Sequence, residues 1–297
     1  MACKIDTLDR VKRLIVNADD FGLTSGVNRA IVDLHQQGKL TSTTLMAIAG
    51  ATAEAVSIPR KFPGLGIGCH VVLVDGTPAL PAARLPTLVD PATGRFRTSL
   101  GNFVRDLFLG RICSTEIESE AEAQIARLQA WGLSLTHIDT HKHTHMFPRV
   151  LAPILAAAAR RRIFAIRNPF EPAWSLAATA GAKGLRRVQV HLLNHFHPTF
   201  RRLVAKSGMA TTDGAVGVLA TGTLNSATLT SLLRAMPEGT FELVTHPGFN
   251  DSDLAKTSTR LLASRALELT ALGMAKFAPD VQLIQFADIA VLADPLV

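Results

Sequence analysis

Short β-branched runs alternate with stretches whose apolar residues recur at three- and four-residue steps, from Arg13 to Phe286, and few architectures accommodate that pattern. The first unit is a strand over Arg13–Asp19, a Gly/Thr/Ser turn and a helix over Val27–Gln37 that keeps Val27, Ala30, Ile31 and Leu34 on one side. Further strands are predicted at Thr43–Ile48, Leu65–Leu73, Leu135–Thr140, Phe164–Asn168, Ala215–Ala220, Phe241–Thr245 and Val281–Phe286. Helices fall at Ala51–Phe62, Ile117–Trp131, Val150–Arg161, Ser226–Met236 and Leu254–Leu272. Alternation of this kind builds a parallel sheet of seven or eight strands covered by helices, either a closed barrel or an open doubly wound sheet. No GxGxxG follows the first strand, which disfavours a dinucleotide-binding sheet.

The chain has 297 residues, 47% of them hydrophobic and 19% charged, enough for a large core and too apolar for disorder. Two excursions rich in Pro and Gly, at 75–111 and 169–213, interrupt the alternation and read as lids on one domain spanning 1–297. The net charge of +7 comes mainly from Arg. With no Tyr and two Trp there is no base-stacking platform, so nucleic acid is not the expected partner. Arg clustered beside apolar residues fits an anionic membrane surface better. No apolar run reaches the roughly 18 residues a membrane span needs. The charged N-terminal stretch lacks a signal-peptide core, and Cys3, Cys69 and Cys113 are odd in number, so a cytoplasmic protein with free thiols is expected.

In parallel α/β folds the chemistry gathers at the C-terminal strand ends. Here those ends read Asn17-Ala18-Asp19-Asp20-Phe21-Gly22, Gly68-Cys69-His70, His137 through His145, Ile166-Arg167-Asn168 and Thr245-His246-Pro247-Gly248. Adjacent Asp19 and Asp20 repel unless a cation or shared proton relieves them; otherwise they are solvated turn residues. His70 is either a ligand or a hydrogen-bonded core histidine, and Cys69 faces the opposite side of its strand. His137, Asp139, His141, His143 and His145 share one face if their strand stays extended, although positions four apart, at ~13 Å, cannot share one ion. His143 and His145 are then substrate or outer groups. His191, His195 and His197 lack a nearby carboxylate and sit among Arg187, Arg201 and Arg202, which favours a basic surface over a second metal site.

The set NADDFG, GxH, HxDTHxHxHMFP and THPGF, in this order from Arg13 to Phe286, resembles the YdjC/ChbG-like carbohydrate deacetylase family, and within it the hopanoid-biosynthesis (HpnK) branch. The resemblance implies a distorted (β/α) barrel that binds one divalent metal ion, zinc or magnesium, and removes the acetyl group of an N-acetylated sugar. It places metal ligands at Asp20, His70 and His141, a catalytic base at Asp19 and an acid at His246. Asp139, His143 and His145, left over on the expected shared face, are the expected substrate contacts. Arg167 either orients Asp19 through a bidentate ion pair or forms a surface salt bridge.

The hopanoid branch implies an acetylated amino sugar linked to a lipid. Over 185–204 the residues Leu185, Val188, Leu192, Phe196, Phe200 and Leu203 recur beside Arg186, Arg187, Arg201 and Arg202, suiting a peripheral contact with an anionic membrane or else a helix packed on the barrel. Pro198 breaks a single helix there. Competing readings are a deacetylase of soluble chito-oligosaccharides, a metal-dependent phosphoesterase and a non-catalytic metal- or lipid-binding scaffold. An oligomer is compatible with the sequence.

Overall fold

The computed structural model describes residues 11–179, 184–257 and 259–292; Cys3 and the residues of the second excursion at 180–183 lie outside them. The seven paired strands are β1 (Lys12–Phe21), β2 (Ser42–Leu45), β3 (Gly66–Val71), β4 (His137–Thr140), β5 (Gly214–Val216), β6 (Gly239–Thr245) and β7 (Val281–Leu283). Their order is β4-β3-β2-β1-β6-β5, with β7 beside the start of β1, and each of these pairs is parallel.

The predicted strand Phe164–Asn168 is reduced to isolated bridges, yet it closes the ring. Ile138 donates to Ala165 O at 3.0 Å and Arg167 N to Ile138 O at 3.1 Å, while on the other side Ile166 N donates to Ala210 O at 2.9 Å. Ala215 N then donates to Phe170 O at 3.1 Å, joining β5. The result is a distorted barrel of parallel strands whose β4–β5 seam is held by a few backbone bonds.

Helices α1 (Ser25–Gln36), α2 (Thr52–Ala55), α3 (Leu100–Phe108), α4 (Ser114–Ala130), α5 (Pro148–Arg160) and α6 (Ala173–Ala178) follow the first strands. Then come α7 (Gly184–Leu193), α8 (His197–Ser207), α9 (Ser226–Ala235), α10 (Ser252–Ala255), α11 (Leu262–Gly273) and α12 (Phe286–Leu292). Helix α1 starts where Thr24 Oγ1 accepts from Val27 N, and it buries Val27, Ala30, Ile31 and Leu34. Two predicted helices are corrected. Ala51–Phe62 shrinks to α2 and a 3-10 turn that begins at Pro59, because proline supplies no N–H to continue the ladder. Leu254–Leu272 is split into α10 and α11. Over 185–204, α7 passes through a 3-10 turn at Asn194–Phe196 into α8, with Pro198 accommodated in the first turn of α8. In the first excursion Phe96 and Phe103 are core, whereas Phe108 is 51% exposed.

Candidate metal and active site

Both aspartates at the end of β1 face the barrel mouth because the strand is bulged there. Pairing with β2 runs Ala18 to Thr43 and then Phe21 to Leu45, so β1 carries one extra residue, and Asp20 takes φ 65. A regular strand would send Asp19 and Asp20 to opposite faces. Gly22, at φ 87, completes the turn; a Cβ there would sit 3.0 Å from Leu45 Cδ1 and 3.2 Å from Thr52 Cα.

Asp20 Oδ1 lies 3.5 Å from His70 Nε2 and 3.3 Å from His141 Nδ1, and the two ring nitrogens are 3.3 Å apart. These three atoms form a set that could hold a cation. Two features of the structure fit one. Asp20 Oδ1 is buried without a hydrogen-bond partner among the described residues, and His70 Nδ1 donates to Asp139 Oδ1 at 2.7 Å, which aims Nε2 at the gap. Although burial opposes the imidazolium, Asp139 and the other carboxylates raise the pKa of His70 to about 9, so a cation entering here displaces a proton. A second cluster, Asp19, His70 and Asp139, is already filled by hydrogen bonds and by Arg167.

Arg167, fully buried, is the hub of the barrel floor. It donates to both oxygens of Asp19, through Nε and Nη2 to Glu242 Oε1 at 2.8 and 2.6 Å, and pairs with Asp139 Oδ2. The alternative of a surface salt bridge is thereby excluded. Asp19 Oδ1 also accepts from Asn17 Nδ2 at 3.0 Å and Thr44 Oγ1 at 3.2 Å, which leaves Oδ2 as the oxygen with spare capacity. Burial raises a carboxyl, but the guanidinium overcomes it and holds Asp19 well below the usual range. One guanidinium serves three carboxylates, and burial pushes Glu242 up to about 7.

His246, after β6, brings Nε2 to 3.6 Å from Asp19 Oδ2. Burial lowers its pKa to about 4, so its ring is uncharged at neutral pH. His143 lines the same cavity, with Nδ1 buried and without a hydrogen-bond partner among the described residues, and burial holds it well below the ordinary imidazole value. The cavity, about 1280 Å³, is bounded by Asp19, Asp20, His70, His141 and His246 on its floor and by Asp75, Arg95 and Arg186 from the two excursions.

The shared face expected for His137 to His145 is corrected. β4 ends at Thr140, and Lys142 and His143 take φ of 57 and 53 in the 3-10 turn that follows, so the alternation stops. His137 points away and stacks on Phe286 at 3.8 Å. His145 is buried, with Nδ1 2.7 Å from Thr140 Oγ1 and Nε2 3.2 Å from Arg167 O, and it does not reach the cavity. Asp139 serves His70 and Arg167 beneath the floor; neither it nor His145 is placed to contact substrate. Sequence reading missed Glu242, which lies within β6, and Arg265 and Glu268, which come from α11. Arg265 Nη2 donates to Asp20 Oδ2 at 2.5 Å, and Glu268 Oε2 accepts from His246 N at 2.6 Å. Burial raises Glu268 to about 7.

The family model described as YdjC-like protein matches residues 13–282. The chain belongs to the YdjC-like family. Among its curated relatives, a carbohydrate deacetylase of Brevibacillus brevis is 40% identical over 158 residues, 53% of this chain and 60% of that protein. A carbohydrate deacetylase of Thermoanaerobacter pseudethanolicus is 27% identical over 249 residues, 84% of this chain and 86% of that protein. A chitooligosaccharide deacetylase of Serratia marcescens is 37% identical over 54% of this chain and 61% of its own length. The chain thus spans about three fifths of the length of several of the curated relatives it matches. A crystal structure from Enterococcus faecalis, of a proposed cellobiose-phosphate cleavage protein, superposes with a TM-score of 0.72 at 26% identity, covering 94% of this chain and 98% of that one.

Proposed function

We propose that this YdjC-like protein is a metal-dependent carbohydrate N-deacetylase that hydrolyses the acetamide of an amino sugar to acetate and the free amine. The observation that carries this reading is the convergence of Asp20 Oδ1, His70 Nε2 and His141 Nδ1 beside a second carboxylate, Asp19, that such a ligand set does not need. Zinc or magnesium held by the three would supply Lewis-acid polarisation of the amide carbonyl, with positions left open for it. Asp19 Oδ2 accepts the proton of the attacking water as its oxygen bonds to the acyl carbon. His246 Nε2 gives a proton to the amine nitrogen as the C–N bond breaks, so the amine leaves uncharged. Because burial keeps His246 uncharged beforehand, that proton reaches it from Asp19, 3.6 Å away. Arg167 holds Asp19 in place, and His143 is the ring available to touch the sugar.

The finer reading is a lipid-linked acetylated sugar, N-acetylglucosaminyl hopanoid, reached from an anionic membrane surface. Its support is α7, where Val188 and Leu192 are 54% and 64% exposed while Arg186, two residues earlier, lines the cavity. No Asp or Glu occurs between Glu171 and Asp213. Among the described residues no helix is long and apolar enough to cross a membrane. The relative named for chitooligosaccharides favours a soluble sugar instead. Metal-loaded protein incubated separately with N-acetylglucosaminyl hopanoid and with diacetylchitobiose, with Asp19→Asn as control, decides by mass spectrometric loss of acetyl. Reaction with the lipid alone selects the hopanoid; reaction with the disaccharide alone discards it; reaction with neither, in metal-loaded protein, overturns the deacetylase reading for both.

A further inference from the structure

Helix α11 lies against the site and contributes two buried charges three residues apart, Arg265, which lines the cavity, and Glu268. Arg265 spans to the first strand: Nη2 meets Asp20 Oδ2 at 2.5 Å across 245 residues of sequence. Its other nitrogens, Nε and Nη1, are buried and have no hydrogen-bond partner among the described residues, so the bond to Asp20 is the one side-chain hydrogen bond of this fully buried guanidinium there. The same helix clasps the His246 loop, since Gly248 N donates to Arg265 O at 3.3 Å and His246 N to Glu268 Oε2.

We propose that Arg265 is a positioning residue for Asp20: by occupying Oδ2 it leaves Oδ1 alone facing His70 and His141, fixing a one-oxygen geometry for the cation. This inference rests on the reading of those three residues as metal ligands. The physical need is specific. Asp20 sits at φ 65 on a bulge, a backbone state an aspartate adopts at a cost, and a free carboxylate there could rotate and offer both oxygens. A guanidinium on the far oxygen removes that freedom, as outer hydrogen bonds do for ligands in metal sites generally.

Calorimetric titration with Zn²⁺ and with Mg²⁺, together with the visible spectrum of the Co²⁺ form, tests it on Arg265→Met and Arg265→Lys. Arg265→Met is expected to bind metal roughly 10- to 100-fold more weakly and to change the Co²⁺ bands. Arg265→Lys, which restores one charged donor, is expected to recover most of the affinity. Affinity within twofold of wild type and unchanged bands in Arg265→Met, with only a lower Tm, would make the residue structural and overturn the proposal; tighter binding would overturn it as well. If Arg265→Met does not fold, Arg265→Gln and the Lys variant carry the same comparison. Wild type that binds no divalent cation would fail the metal-site reading itself, a result separate from any difference between variants.

Discussion

Arg167 grips Asp19 with two parallel hydrogen bonds, Nη1 to Oδ2 at 2.9 Å and Nη2 to Oδ1 at 2.6 Å, and both side chains are buried at the base of the cavity. The same guanidinium also pairs with Asp139 and Glu242, so its removal strips a shared partner from three buried carboxyl groups at once. Arg167→Met is expected to destabilise the fold by about 3–5 kcal/mol, the usual cost of stripping one partner from a buried ion pair. Urea unfolding of wild type and variant measures it; a loss below about 1 kcal/mol would show that the carboxylates find other partners.

The bidentate grip also separates two jobs within the NADD motif. Asp19→Asn should retain metal, since Asp20, His70 and His141 are intact, while deacetylation falls by at least about 10²-fold for want of a proton acceptor. His141→Ala should lose both. Metal content by mass spectrometry checks the division: an Asp19→Asn protein that comes out empty would make Asp19 a ligand.

How much of this could be seen in the sequence depends on how far each contact is from a strand end. Asp19, Asp20 and His70 lie in the last residues of their strands and His141 and His246 directly follow theirs, so motif order and the family resemblance pick them out. Arg265 and Glu268 lie in a helix whose sequence, LASRALELTALG, reads as an ordinary amphipathic surface; only the barrel brings it to Asp20 and His246. Glu242 is concealed within an apolar strand, where a charge signals burial without naming its partner. The error at His145 has a different origin. Alternation along β4 predicts its face only while the backbone stays extended, and the two left-handed residues at 142 and 143 reset it. A helix-covered parallel sheet was legible from strand–helix alternation and the family resemblance implied its closure into a barrel, but the reduction of Phe164–Asn168 to bridges was not legible, since propensity does not report how many partners a strand finds.

Glu242 gives a pH signature in metal-stripped protein. Burial raises its folded-state pKa from 4.5 to about 7, so the folded state keeps a proton that the unfolded chain releases. Its contribution to stability is therefore present below about pH 4.5 and is lost as pH rises towards 7, with no further loss above that. Glu242→Gln keeps an oxygen for Arg167 Nε and Nη2 and cannot ionise. The Tm of the variant relative to wild type should climb by a few degrees between pH 5 and pH 8; a constant difference would mean that Glu242 is already ionised at pH 5.

The exposed face of α7 makes the last prediction. Val188 and Leu192 are one helical turn apart, and Arg202 on α8 is exposed in the same acid-free stretch. Burying two aliphatic side chains in a lipid interface gains on the order of 3–6 kcal/mol at most, and an arginine near anionic headgroups adds about 1. Those sums give weak, composition-dependent binding, so the protein should sediment with vesicles rich in phosphatidylglycerol and much less with phosphatidylcholine alone. Val188→Ser with Leu192→Ser should abolish that sedimentation, and Arg202→Gln should weaken it and its salt dependence. Arg186 and Arg187 are poorer test positions, because their guanidiniums donate to the carbonyls of Val218, Leu219, Leu176 and Thr179 and their loss would disturb the fold. If the double Ser variant sediments like wild type, the α7 face does not meet lipid. If it abolishes self-association instead, seen as a change in mass by light scattering, the face pairs two copies of the chain and the membrane reading fails.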